Sequence, residues 1–200
     1  MLERHATRGA EALLFARNFF RHPRMLGSLI PSSRFLIREL LDPIRWERAR
    51  VIVEYGPGVG GITAEILKRM RPDAQLVAIE MNADFVRHLR KALPDERLHV
   101  VAGSAADVQQ ILQSLGLERA SYVISGIPFS TLPRDDREHI LRQTRAALES
   151  DGKFLVYQFS SRVLPDLQRI FGYVERGFAP LNVLPAHLFF ATANAEYRGR

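Results

Sequence analysis

The stretch Val51-Ile52-Val53-Glu54-Tyr55-Gly56-Pro57-Gly58-Val59-Gly60-Gly61 limits most severely what this chain can become. A run of β-branched residues stops at an acid and opens into a glycine-rich loop. Ile62, Ile66, Leu67 and Met70 then follow at helical spacing. A continuously apolar strand is what burial on both faces of a parallel sheet demands. The glycines let the backbone turn tightly and let a ligand approach without meeting a β-carbon. The start of the following helix points unpaired N–H groups at the same spot. The reading is strand, nucleotide-binding turn, helix.

Two nucleotide signatures fit these residues. Gly56, Gly58 and Gly61 match G-x-G-x-x-G, the dinucleotide fingerprint. Glu54, Gly56, Gly58 and Gly60 match E-x-G-x-G-x-G, the loop of S-adenosylmethionine (SAM) dependent methyltransferases. The loop alone does not choose between them.

The chain beyond the loop extends the pattern. Gln75 to Glu80 is a second buried strand, ending on an acid. Glu80 comes roughly 20 residues past the loop, where nucleotide-binding α/β folds put the carboxylate that accepts from ribose hydroxyls. Asn82 caps a helix carrying Phe85, Val86 and Leu89. Leu98 to Ala102 is a third strand, and Gly103-Ser104-Ala105 is its turn. In such folds this turn meets the adenine, so Ser104, or the N–H of Ser104 or Ala105, is the expected contact. Asp107 sits in the first turn of a helix, where its charge complements the dipole. A fourth buried strand ends in Ser125-Gly126-Ile127-Pro128-Phe129, a proline-stiffened turn that faces the same crevice and can aim a carbonyl and an aromatic ring at one point. A helix over 134–149, a strand over 152–159, a helix from Ser160 or Ser161 through Phe171, and strands over 173–178 and 182–193 complete the order.

Five βα units and a terminal strand pair are the order of a Rossmann-like class I methyltransferase. Its α/β sheet has seven strands, mostly parallel with an antiparallel last strand, and helices on both faces. A NAD enzyme of this kind needs a further substrate domain, for which these residues leave no room, so SAM is the expected cofactor.

Ahead of the first strand the chain is basic. Residues 4–21 read as an amphipathic helix with Ala12, Phe15, Ala16 and Phe19 on one face. That face suits the headgroup region of a bilayer and equally suits packing on the domain. Residues 1–25 form the expected detachable helix, and 26–200 the methyltransferase domain. Ser32 or Ser33 caps a helix with Phe35, Leu36, Leu40 and Leu41, closed by Pro43, and Trp46 packs under a charged linker. The net charge is +6, and up to Arg38 seven arginines face only Glu3 and Glu11. Such a field draws phosphate, in nucleic acid or on an anionic membrane. The absence of cysteine excludes disulfides, thiolate zinc sites and cysteine nucleophiles, and fits a reducing cytoplasm. No apolar run is long enough to cross a bilayer, no export signal is expected, and no metal site is expected.

The stretch from Val53 to Thr63 resembles the first motif shared by the rRNA adenine dimethyltransferases and the bacterial phospholipid N-methyltransferases. Three further stretches resemble the phospholipid family. Ile30-Pro31-Ser32-Ser33 is similar to its Met-Pro-Ser-Ser loop ahead of the first strand. Ser125-Gly126-Ile127-Pro128-Phe129-Ser130 is similar to its Ser-Gly-Leu-Pro turn, where the adenine enzymes carry Asn-Leu-Pro-Tyr. Asn182-Val183-Leu184-Pro185-Ala186-His187 is similar to its C-terminal Asn-x-Pro-Pro-Ala stretch. The adenine enzymes also carry a C-terminal helical RNA-binding domain that is not expected here. Two departures stand out: Ser104 where Gly-Asp is common after the third strand, and Leu184 in place of the first proline.

The resemblance implies methyl transfer from SAM to the amine of phosphatidylethanolamine and its methylated products. Gly56, Gly58 and Gly60 would hug the methionine part of SAM, Glu54 would face its ammonium region, Glu80 its ribose, and Ser104 or Ala105 its adenine, with Met81 a further cofactor contact. Ser125 and the Gly126 carbonyl would orient the acceptor amine, with Phe129 offering its π face to the growing quaternary ammonium. Tyr55 and His187 are candidates by type for the base, as is water. Arg21 and Arg24 would hold lipid phosphate while Phe15 and Phe19 dip into the headgroups. Pro31, Ser32 and Ser33 would line the substrate side. The implied location is cytoplasmic, peripheral on an anionic inner-membrane face. The alternatives are a nucleic-acid adenine N6-methyltransferase, and a non-catalytic membrane- or RNA-binding module on a SAM fold.

Overall fold

The computed structural model describes residues 33–182 and 185–193. Phe15, Phe19, Arg21, Arg24, Pro31, Ser32 and Leu184, and with them the proposed helix over residues 1–25, lie outside the described residues.

The strands are β1 (Val51–Tyr55), β2 (Gln75–Glu80), β3 (Leu98–Ala102), β4 (Ala120–Ser125), β5 (Leu148–Gln158), β6 (Val174–Ala179) and β7 (Ala186–Thr192). They form one sheet in the order β3-β2-β1-β4-β5-β7-β6. Neighbours from β3 to β5 pair in parallel, and β7 runs antiparallel to both β5 and β6. The chain order reverses between β1 and β4, so the C-terminal ends of these two strands part to leave a crevice.

Helices cover both faces. They are α1 (Arg34–Leu41), α2 (Gly61–Arg69), α3 (Ala83–Ala92), α4 (Val108–Ser114), α5 (Arg134–Ala147) and α6 (Leu164–Phe171). The apolar alternation of the strands divides the interior into two cores. One joins Val53, Tyr55, Val123, Phe154 and Phe189 to residues of α4, α5 and α6. The other joins Ile52, Ile124, Leu155 and Leu188 to residues of α1 and α2. Ser33 caps α1 as its spacing predicts, its side chain accepting from the Leu36 N–H, and Trp46 packs against the second core.

One boundary differs from expectation. Leu148 lies at helical spacing from Ile140, Leu141 and Thr144, yet α5 stops at Ala147 and Leu148 opens β5, paired with Ala120. The register between Ala120 and Tyr122 is irregular. Gly152 lies in this irregular segment, where a β-carbon would stand 3.0 Å from the Glu149 carbonyl oxygen and 3.1 Å from that of Ala120. The bulge thus needs a glycine, and the chain leaves the helix earlier to form it.

Candidate active site

The glycine loop runs from β1 into α2 with Gly56, Gly58 and Gly60 all at positive φ, which only glycine adopts freely. The Gly56 N–H donates to the Ile79 carbonyl at 2.9 Å, keeping the loop in register with β2. Gly60 has a second reason to be glycine. A β-carbon there would sit 2.7 Å from Leu89 Cδ2 and 3.0 Å from Leu93 Cδ1, so α3 packs directly on the loop.

Two carboxylates stand at the strand ends beneath this loop. Glu54 is buried, and its Oε2 accepts from the Thr63 hydroxyl at 2.7 Å. Burial raises its pKa from 4.5 to about 7; the Thr63 hydrogen bond opposes this rise and the nearby Glu80 adds to it. Glu80 is also buried. Its Oε2 accepts from the Gly58 N–H at 3.2 Å and its Oε1 from the Asn82 N–H at 2.9 Å. Burial pushes its pKa up against these backbone donors. Glu80 therefore ties the loop to the end of β2 and keeps spare lone pairs for further donors. Met81 follows it with an exposed side chain. After β3, Ser104 caps a short 3₁₀ turn over 105–107 by accepting from the Ala106 N–H at 3.2 Å, and the Ala105 side chain is buried in the core.

Across the crevice, the Ser125–Phe129 turn differs from expectation in its side chains. Ser125 is fully buried and its hydroxyl accepts from the Ile127 N–H at 3.2 Å, so it shapes the turn rather than facing an open crevice. Phe129 is also fully buried, its ring edge-on to Phe154 at 6.1 Å. The expected π contact with a substrate cation is therefore corrected: the 3₁₀ turn over 129–131 drives the ring into the α4–α6 core, where burial is worth more than a crevice wall. Tyr55 is corrected for the same reason. It points into that core and shares a hydrogen bond with Thr144 Oγ1 at 3.1 Å, and burial pushes its pKa far up, so it is no base at the crevice. Gly126 is half-buried just past the end of β4, its N–H donating to the Tyr55 carbonyl at 3.2 Å.

Four residues that the motifs did not single out hold this architecture. Thr63 donates to Glu54. Arg137 of α5 pairs with Asp166 at 2.7 Å and reaches the carbonyls of Phe129 and Leu132 at 3.4 Å each. Gln158, at the end of β5, donates to the Ile127 carbonyl at 2.7 Å. Tyr157 brings its hydroxyl over Gly126. A signal for the last two was present, since Tyr-Gln ends an otherwise apolar strand at the crevice edge.

The two outer motifs meet although they lie far apart in sequence. The Ser33 N–H donates to Asn182 Oδ1 at 2.9 Å across a separation of 149 residues. His187, half-buried on β7, stacks on Phe189 and tilts against Phe178 at 5.4 Å between ring centres. It pairs in register with Gln158, next to Phe159. Phe35, Phe159, Phe178 and Leu181, near these contacts in sequence or by strand pairing, are each 43–65% exposed. Among the described residues no cluster of His, Cys, Asp or Glu could hold a metal ion.

The residues present fit SAM. A left-handed glycine turn would meet the methionine part without side chains, and two carboxyl groups at the strand ends, acceptor-only once ionised, suit an ammonium and a ribose diol.

Comparison with known proteins agrees. Residues 20–129 match the family model for ribosomal RNA adenine dimethylase. The chain is 37% identical over 191 residues to the ornithine lipid N-methyltransferase of Singulisphaera acidiphila, covering 92% of this chain and 96% of that one. It is 34% identical to ribosomal RNA small subunit methyltransferase A of Thiobacillus denitrificans over only 70 residues, 35% of this chain and 26% of that one. Among solved structures, the fold is similar to the Burkholderia thailandensis 1,6-didemethyltoxoflavin-N1-methyltransferase bound to its ligand and S-adenosylhomocysteine. The TM-score is 0.67 at 16% identity, over 94% of this chain and 90% of that one. It is similar as well to N-methyltransferase NodS of Bradyrhizobium japonicum with S-adenosylhomocysteine, with TM-score 0.63 at 10% identity over 80% and 88% of the two chains. The expected fold and cofactor are both borne out. The chain belongs to the ribosomal RNA adenine dimethylase-like family of class I SAM-dependent methyltransferases, alongside the ornithine lipid N-methyltransferase.

Proposed function

We propose that this enzyme transfers a methyl group from SAM to the amine of a membrane lipid, of the phosphatidylethanolamine or ornithine-lipid type, at an anionic membrane surface on the cytoplasmic side. The observation that carries the reading is the end-to-end similarity to a lipid N-methyltransferase, against only local similarity to the RNA enzymes. The exposed apolar side chains of Phe35, Phe159, Phe178 and Leu181 support it, because exposed aromatic surface suits a lipid interface.

SAM supplies an already activated methyl group. The protein has to hold the acceptor nitrogen in line and keep water out. Glu54 and Glu80 would receive the cationic and ribose parts of the cofactor. Gly56, Gly58 and Gly60 would let the loop close on it, Ser104 and Ala105 would bound the adenine side, and Met81 would be a further cofactor contact. The Gly126 carbonyl faces the acceptor. His187 and Ser33 stand at the mouth where the headgroup enters. Residues 1–25, with Phe15, Phe19, Arg21 and Arg24, and the loop residues Pro31 and Ser32 add the basic, amphipathic approach to the membrane.

The test offers labelled SAM to the protein together with aminolipid vesicles and with ribosomal RNA. Label in the lipid is expected. Label in the RNA alone would replace this reading with the adenine methyltransferase, and SAM binding without transfer to either would leave a binding module.

A further inference from the structure

With Phe129 and Tyr55 turned into the core, the acceptor side of the crevice needs another group. Three glycine-free or glycine-dependent contacts lie in sequence across its floor. A β-carbon on Gly56 would be 3.6 Å from Ile127 Cγ1, so the cofactor loop touches the turn after β4. A β-carbon on Gly126 would be 2.6 Å from Tyr157 Oη, 3.1 Å from its Cζ and 3.2 Å from its Cε1. Gly126 therefore leaves the space that the Tyr157 phenol fills, and any side chain at 126 would displace that phenol. Tyr157 itself is half-buried, its body against the core of α1 and α2 and its hydroxyl one strand away from the cofactor turn. Gln158, on the opposite face of β5, donates to the Ile127 carbonyl at 2.7 Å, so the end of β5 grips this turn from both sides.

We propose that the Tyr157 phenol, seated over Gly126, is the group that receives the acceptor amine, and that the Gly126–Tyr157 pair shapes the pocket for a small aliphatic amine. This rests on the function proposed above. A hydroxyl oxygen accepts from an amine N–H, and the ring presents a π face to the cation that forms as methyl groups are added.

The experiment compares wild type, Tyr157→Phe, Tyr157→Ala, Gly126→Ala and the Gly126→Ala/Tyr157→Ala double variant. The acceptors are vesicles of phosphatidylethanolamine or ornithine lipid mixed with phosphatidylglycerol, and SAM affinity is measured by calorimetry in parallel. Tyr157→Phe should lower kcat/KM for the lipid by roughly tenfold, the loss of one hydrogen bond to a charged group, and Tyr157→Ala by more. Both should leave the SAM Kd within about twofold, since neither touches the carboxylates. Gly126→Ala should lose transfer through the same displacement, and the double variant should be no worse than Tyr157→Ala alone. Wild-type rates in Tyr157→Ala would overturn the proposal while leaving the lipid reading intact. A fall in SAM affinity in step with activity would overturn it as well, making Tyr157 a support of the fold. No transfer by wild type to either lipid would remove the functional reading and this proposal with it.

Discussion

Glu54 offers the sharpest test of the cofactor site. It is a buried carboxyl whose pKa stands at about 7 instead of 4.5. The folded protein therefore holds a proton between those values that the unfolded chain has released. Its contribution to stability is largest at low pH, declines as pH rises from 4.5 to 7, and is flat above. The shift corresponds to about 3 kcal/mol. A cationic ligand reverses the preference, because the ammonium region of SAM favours ionised Glu54. Binding should thus expel the proton. With a pKa of about 7, half of the molecules are ionised at pH 7. About one in eleven is ionised one pH unit lower, so the SAM Kd should weaken about fivefold over that unit. Calorimetry in two buffers of different ionisation enthalpy should register about half a proton released per SAM bound near pH 7. Glu54→Gln should bind as weakly as the protonated wild type, show no such release, and raise the melting temperature of the ligand-free protein at about pH 8. The slope that persists in Glu54→Gln belongs to Glu80. An unchanged pH dependence and proton count in Glu54→Gln would refute the assignment.

Four further substitutions separate packing from chemistry. Gly60→Ala should cost about 2–4 kcal/mol through its left-handed backbone and its collision with Leu89 and Leu93. Gly61→Ala, with nothing within 4 Å of the new β-carbon, should be neutral or slightly stabilising, and denaturant melts of the pair check the contrast. Phe129→Ala should destabilise by about 3–5 kcal/mol as a buried aromatic does. A variant with an unchanged melting temperature and only lost transfer would return that ring to the substrate. Arg137→Ala removes the hold on the Phe129 and Leu132 carbonyls while Asp166 keeps Arg169, so a loss of about 1–3 kcal/mol with a lower kcat at unchanged SAM Kd is expected from stopped-assay kinetics and calorimetry.

The geometry of the candidate cofactor half of the site was legible in the sequence and that of the proposed acceptor half was not, for a physical reason. Glu54, the glycines and Glu80 belong to one strand–loop–helix–strand unit, whose covalent spacing alone decides that the acids stand under the loop. The central strands β1, β2 and β4 were legible because burial on both faces leaves near-continuous apolar runs. Leu148 misled because a residue at the helix spacing of α5 also suits the first position of a strand, and only the contacts of Ala120 and Gly152 decide between them. The direction of Phe129 had no local signal either. A ring after a proline turn can face the crevice or the core, and Phe154, on the neighbouring strand, settles it. Tyr157 meets Gly126 only because β4 and β5 pair in one register, and Ser33 meets Asn182 only once the whole sheet is closed. The proposed acceptor side is thus assembled from contacts between segments distant in sequence. Small shifts in strand register or in the terminal hairpin can re-shape it while the cofactor loop stays as it is, and that separation lets one SAM fold serve acceptors as unlike as an RNA base and a lipid amine.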